Sequence, residues 1–146
     1  YAGNEEKSPH LEEKRIKGIA EDTSHSRRLP LWLTSLAHAY PIESSQRVYY
    51  EELLTGLEHQ FLTRVLVKPT DDFPSYRTTN FMDGRDGFYR WNYVTQGPNN
   101  GYGPYELSGT LCLGWRTFLD SPEIKQVYAD MAASYPLSED VISVYV

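Results

Sequence analysis

Apolar residues recur at helical spacing in four stretches of this 146-residue chain. The first runs from about Leu29 to Tyr40 and sets Leu29, Leu33, Leu36 and Tyr40 on one face. Pro30 fits its first turn, where a missing N–H costs nothing, or else kinks a helix that starts nearer Thr23. The second, from about Gln46 to Val67, repeats Tyr50, Leu54, Leu57, Phe61 and Val65, with Leu53, Leu62 and Leu66 widening the stripe. The third, from Pro104 to about Leu119, gathers Leu107, Leu111, Gly114, Trp115 and Phe118 on one side. The fourth has the clearest start: Ser121 as N-cap, Pro122 at the first helical position and Glu123 in the first turn, followed by Ile124, Val127, Tyr128 and Met131. Short connections within each half favour antiparallel neighbours. The pattern therefore predicts a mainly α domain of two helix pairs.

The remaining segments depart from helical spacing. Residues 68–103 are rich in Gly, Pro, Asn and Asp, yet carry Phe73, Tyr76, Phe81, Phe88, Tyr89, Trp91, Tyr93 and Tyr102. So many rings predict an ordered loop that packs or binds. Residues 1–20 are polar and charged and read as an arm lying over a surface, ahead of a helical domain at 21–136. Residues 137–146 hold Val141, Ile142, Val144 and Val146 and read as a β-prone tail, a short strand or a segment that packs against another chain. The chain opens on Tyr1 without an initiating Met, the expectation for a processed product or a fragment.

Charge and motif searches narrow the chemistry. Lys and Arg number 14 against 20 Asp and Glu, a net charge of -6, which disfavours phosphate backbones as partners. No apolar run approaches the roughly 20 residues that span a bilayer. Cys112, the one cysteine, has no disulfide partner and no zinc-spaced neighbours, and reads as a small core hydrophobe. GxGxxG, P-loop, EF-hand and GxSxG patterns are all absent, so no cofactor, metal or Ser/His/Asp triad is expected. His38 and His59 fall within helices and read as polar-face histidines.

Three polar clusters remain, each with a plain structural reading beside the functional one. Glu21-Asp22-Thr23-Ser24-His25 is a compact acid/base set, or a cap with acids that complement a helix dipole. The segment from Arg77 through Asn80, Asp83, Gly84, Gly87, Arg90 and Trp91 to Tyr93 has two Asp-Gly turn signals and then alternates like a short strand. It reads as a hairpin with core rings, or as a surface of Arg, Asn and Asp among aromatics that suits sugars. The third cluster, Gly97 to Glu106, holds Tyr102 between two glycines ahead of Pro104 and Tyr105. Either Tyr102 is displayed there as a proton donor or stacking ring, or it is buried in a glycine-rich turn.

The order of these pieces, an EDTSH motif opening a helix, a polar-aromatic loop with Asp-Gly, then Leu113-Gly114-Trp115 in a later helix, resembles the closing helical hairpins of (α/α)-toroid proteins that act on glycans. These include polysaccharide lyases, uronyl epimerases and related hydrolases. The resemblance spans roughly residues 21–134. It implies a polysaccharide substrate, with Glu21, Asp22 and His25 facing a cleft and Arg77, Asn80, Asp83, Arg90 and Tyr102 lining its mouth. Trp91 and Tyr105 join the substrate-binding set. Lyase chemistry needs a base such as Tyr102 or His25 and a group such as Arg90 or Asn80 to neutralise a uronate carboxylate. Hydrolysis needs two facing carboxylates, for which Asp22 and Asp83 are the candidates. A full toroid takes more hairpins than are read here, so association with another chain or with an upstream part is expected, and export from the cell would fit. The rivals are a non-catalytic helical self-assembly module with terminal arms, and a carbohydrate-binding module.

Overall fold

The computed structural model describes residues 19–95 and 97–146. The proposed arm at 1–20 lies almost wholly outside them. Five α-helices occur among the described residues: α1 (Thr23–Ser26), α2 (Leu29–His38), α3 (Ser45–Gln60), α4 (Pro122–Ala133) and α5 (Glu139–Tyr145). Two two-residue strands, β1 (Leu66–Val67) and β2 (Arg77–Thr78), pair antiparallel with Leu66 opposite Thr78. The chain is mainly α.

Helix α2 starts with Pro30 in its first turn and packs against α3. Ser44 caps α3 by accepting the Arg47 N–H. That helix runs into a π-helical turn, Phe61–Val65, which delivers Phe61 and Val65 to the centre of the molecule. There they meet Met82, Leu111, Leu119, Ile124, Val127 and Met131. Ser121 caps α4 as its sequence indicated, accepting the Ile124 N–H.

Several elements differ from the sequence expectation. The predicted third helix is two 3₁₀ segments, Ser108–Leu113 and Trp115–Phe118. Gly114 separates them at φ +69°, a left-handed conformation that ends the first and blocks one continuous helix. Cys112 is consequently exposed instead of buried among apolar neighbours. The tail is helix α5, not a strand. Glu139 and Asp140 sit in its first turn, where they favour the helix dipole, and Val141 enters the core at 3% exposure. The alternation at 88–93 forms no strand, because Arg90 and Asn92 adopt positive φ. In α2 the expected stripe is only partly used: Leu36 and Tyr40 remain exposed.

Candidate functional site

Backbone pairing brings the three polar clusters to one place. Residues 21–23 lie antiparallel to 80–82: Thr23 N–H donates to the Asn80 carbonyl at 2.9 Å and Met82 N–H to the Glu21 carbonyl at 2.8 Å. Asn80 is fully buried. Its amide nitrogen donates to the carbonyls of Gly87 at 2.8 Å and Gly103 at 2.7 Å, and its amide oxygen accepts the Leu107 N–H at 3.2 Å. Tyr89 and Tyr102 then exchange two backbone hydrogen bonds of 2.9 Å. Gly101, at φ +152°, lies against the Trp91 backbone so closely that an added Cβ would sit 2.7 Å from the Trp91 Cα. A glycine is required there, and it sets Tyr102 beside Tyr89.

The reactive geometry centres on His25. Asp22 caps α1, accepting the backbone N–H groups of Ser24 at 3.0 Å and His25 at 3.1 Å. The same carboxylate holds His25 Nδ1 at 2.8 Å and accepts the Ser24 hydroxyl. Capping and ring orientation are thus one arrangement. With its proton on Nδ1 directed at Asp22, the imidazole keeps Nε2 as a basic lone pair, and Nε2 makes no hydrogen bond among the described residues. Burial pushes the Asp22 carboxyl up, but the bonds from Ser24 and His25 outweigh it and hold the carboxyl below its usual value. It remains an anion beside the imidazole. The Tyr89 hydroxyl lies 3.3 Å from Nδ1. Burial chiefly raises its pKa, so Tyr89 stays a protonated donor.

His25 opens onto a cleft of about 430 Å³. Ser24, Arg27 and Arg28 line it together with Tyr89, Arg90 and Tyr102, and with Glu106, Gly109, Thr110, Tyr145 and Val146. The Arg90 guanidinium lies over the rings of Tyr89 and Tyr93, at 5.2 and 5.1 Å. Glu106 accepts the Gly103 N–H at 2.5 Å.

Of the residues singled out by sequence, Asp22, His25, Arg90 and Tyr102 come together here. Glu21 contributes its backbone, with its side chain exposed. Asp83 pairs with Arg85 Nε at 2.5 Å and does not line the cleft, so the two-carboxylate arrangement of Asp22 with Asp83 is not assembled in it. Arg77 is sandwiched between Phe73 and Tyr105, 4.5 and 4.4 Å from their ring centres, which commits Tyr105 as well. Trp91 packs against Phe88. The amide of Asn80 is fully engaged in holding the loops. Sequence reasoning placed Tyr89 and Glu106 in its clusters without giving them a role, and passed over Arg27, Arg28 and Thr110. The Arg27-Arg28 pair directly follows the EDTSHS run and was a usable signal, whereas nothing local marked Thr110.

Among the described residues no three His, Cys, Asp or Glu side chains gather as a metal site, and no helix is long and apolar enough to cross a membrane. No protein-family model, curated protein or solved structure matches the chain.

Proposed function

We propose that this chain is part of an (α/α)-toroid glycan-processing enzyme that acts on a polysaccharide by acid/base chemistry at His25. The observation that carries this reading is the Asp22–His25 pair, 2.8 Å apart through Nδ1, with His25 lining the open cleft. Asp22 fixes the tautomer and stabilises the imidazolium that forms when Nε2 takes a proton. Tyr102 and Tyr89 supply phenolic donors beside it, and the rings offer stacking surface for a sugar. Arg90 supplies positive charge for an acidic sugar unit.

Proton abstraction fits this geometry better than hydrolysis by paired carboxylates. Asp22 is engaged with His25 and Ser24, and Asp83 with Arg85. That leaves Glu106 as the one further carboxylate side chain lining the cleft. A lyase or epimerase needs a base and a positive counter-group, and both are at hand.

The test is a panel of acidic and neutral polysaccharides, read by thermal shift and by the ultraviolet absorbance of an unsaturated product. A ligand that binds only the native state raises stability with its concentration. A shift with new absorbance for acidic glycans is the expected result. A shift without new absorbance would remove the lyase, and a treated glycan unchanged in chain length and sugar composition as well would leave a binding module and remove the enzyme.

One observation favours a second reading, a helical self-assembly module. The α2–α3 pair leaves Trp32, Leu36, Ile42, Val48, Tyr49 and Leu53 exposed. An apolar surface of this kind suits a neighbouring helix pair, within a toroid or between chains.

A further inference from the structure

The cationic character of the cleft is out of proportion to the chain that carries it. The protein has a net charge of -6, yet Arg27, Arg28 and Arg90 all line one cleft. None of the three forms an ion pair among the described residues, where the pairs found are His25–Asp22, Arg47–Glu51, Arg85–Asp83 and Lys125–Asp120. Arg27 donates from Nε to the Ser24 carbonyl at 2.8 Å, and its guanidinium lies 5.8 Å from the Trp115 ring centre. These contacts fix the plane of the group and leave its terminal nitrogens without a hydrogen bond among the described residues.

A fourth arginine lies behind the cleft wall. Arg116 is 2% exposed. Its guanidinium stacks on Phe61 at 4.6 Å, Nη1 donates to Thr110 Oγ1 at 3.3 Å, and Nη2 is buried with no hydrogen-bond partner. Burial, opposed by nearby Tyr128 and assisted by Arg27, lowers its pKa to about 10. It is still a cation at neutral pH. A buried guanidinium with no carboxylate is strongly unfavourable unless something compensates it. Thr110 is the link to the cleft it helps line: its oxygen accepts from Arg116, so its hydroxyl proton is free to be given away. The acidic side chains nearby are already engaged, Asp22 by His25 and Ser24, and Glu106 by the Gly103 N–H.

We infer that Arg27, Arg28 and Thr110, backed by Arg116, form an oxyanion subsite that holds a carboxylate or sulfate group of the ligand beside His25. The inference rests on the acid/base reading only for the identity of the ligand as a glycan. A planar guanidinium pair with a hydroxyl donor suits the oxygens of either group. The anion would compensate the buried charge of Arg116 through Thr110. This places charge recognition on the α1–α2 side of the cleft, on residues other than Arg77 and Asn80, whose side chains are committed elsewhere.

The test titrates the 146-residue chain with sodium acetate and with sodium sulfate at constant ionic strength, balanced by chloride, and follows the melting temperature. The wild type should be stabilised by at least one of the two anions beyond chloride. The part of the shift that is lost in Arg27→Gln and Arg28→Gln assigns the site, to a carboxylate where acetate gives it and to a sulfate ester where sulfate does, since sulfate also stabilises folded proteins by exclusion from their surface. Arg27→Gln and Arg28→Gln should each weaken the apparent affinity at least tenfold, while Arg47→Gln, on α3 and outside the cleft lining, should leave it unchanged. Arg116→Met should melt no lower than wild type without anion, since it removes an uncompensated buried charge, yet respond less to the anion. If Arg116→Met fails to fold, the two cleft arginines decide. No stabilisation beyond chloride, or an unaltered response in Arg27→Gln and Arg28→Gln, overturns the subsite. Anion binding through these residues with no turnover of any glycan would keep the subsite and remove the acid/base reading. Turnover dependent on His25 but indifferent to Arg27 and Arg28 would do the reverse.

Discussion

Asn80 is the residue on which the site's geometry turns. One buried amide joins the EDTSH segment, the Asp-Gly loop and the glycine-rich turn through its side chain and its own carbonyl. Removing it strands two carbonyls and one N–H in a buried place. Asn80→Ala should therefore cost about 2–4 kcal/mol, measured by urea unfolding, with loss of activity following loss of structure. Asp22 and Asp86 make a contrasting pair. Bonds from Ser24 and His25 hold the folded Asp22 pKa below 3.8, so its contribution to stability is present above that value and is lost as pH falls through its lower folded value. Asp86 runs the other way: burial raises its folded pKa above 3.8, so stability is lost as pH rises from 3.8 through the higher folded value. Urea midpoints recorded between about pH 3 and 5 should show the two signs. Asp22→Asn should flatten the rise of stability with pH, and Asp86→Asn should steepen it. Equal slopes in all three proteins would contradict the assignment.

At the level of elements, the strongly periodic stretches were legible and the punctuated ones were not. The α4 start at Ser121-Pro122 could be read directly, because capping chemistry is local, whereas Pro30 left two starts open for α2, which has no side-chain cap. The tail could not. Its Val and Ile residues favour strand in isolation, but Val141 and Tyr145 are four apart and one helix face brings both onto the body. Tyr145 donates to the Tyr76 carbonyl and sits 3.0 Å from the Ser75 hydroxyl, contacts about seventy positions away that no local rule contains. The site was half legible for the same reason. Residue types named Asp22, His25 and Tyr102, but only tertiary pairing shows that Asn80 and Arg77 are committed to the scaffold while Arg27 and Thr110 face the cleft. Gly109 tests the docking of α5. A Cβ added there would collide with the Tyr145 carbonyl, a backbone group that cannot rotate away. Gly109→Ala should cost about 1–3 kcal/mol and speed hydrogen exchange of the α5 amides selectively.

For the whole molecule, the apolar surface of α2 and α3 and the cationic cleft make separate claims. The core gathers around α4, the π-helical turn and the 3₁₀ segments, leaving Trp32 at 53% and Tyr49 at 56% exposure. Sedimentation should show concentration-dependent association, and Trp32→Glu with Tyr49→Glu should reduce it without loss of helical content. A monomer at every concentration would mean that this face has no need of a neighbour. The cleft carries the functional claim, and its most direct test is turnover by wild type and His25→Gln measured side by side on acidic polysaccharides, with folding of both checked by their melts. Wild-type release of unsaturated product, reduced about a hundredfold or more in a His25→Gln protein that still melts cooperatively above the assay temperature, is the expected result. Equal rates in the two proteins would contradict acid/base chemistry at His25.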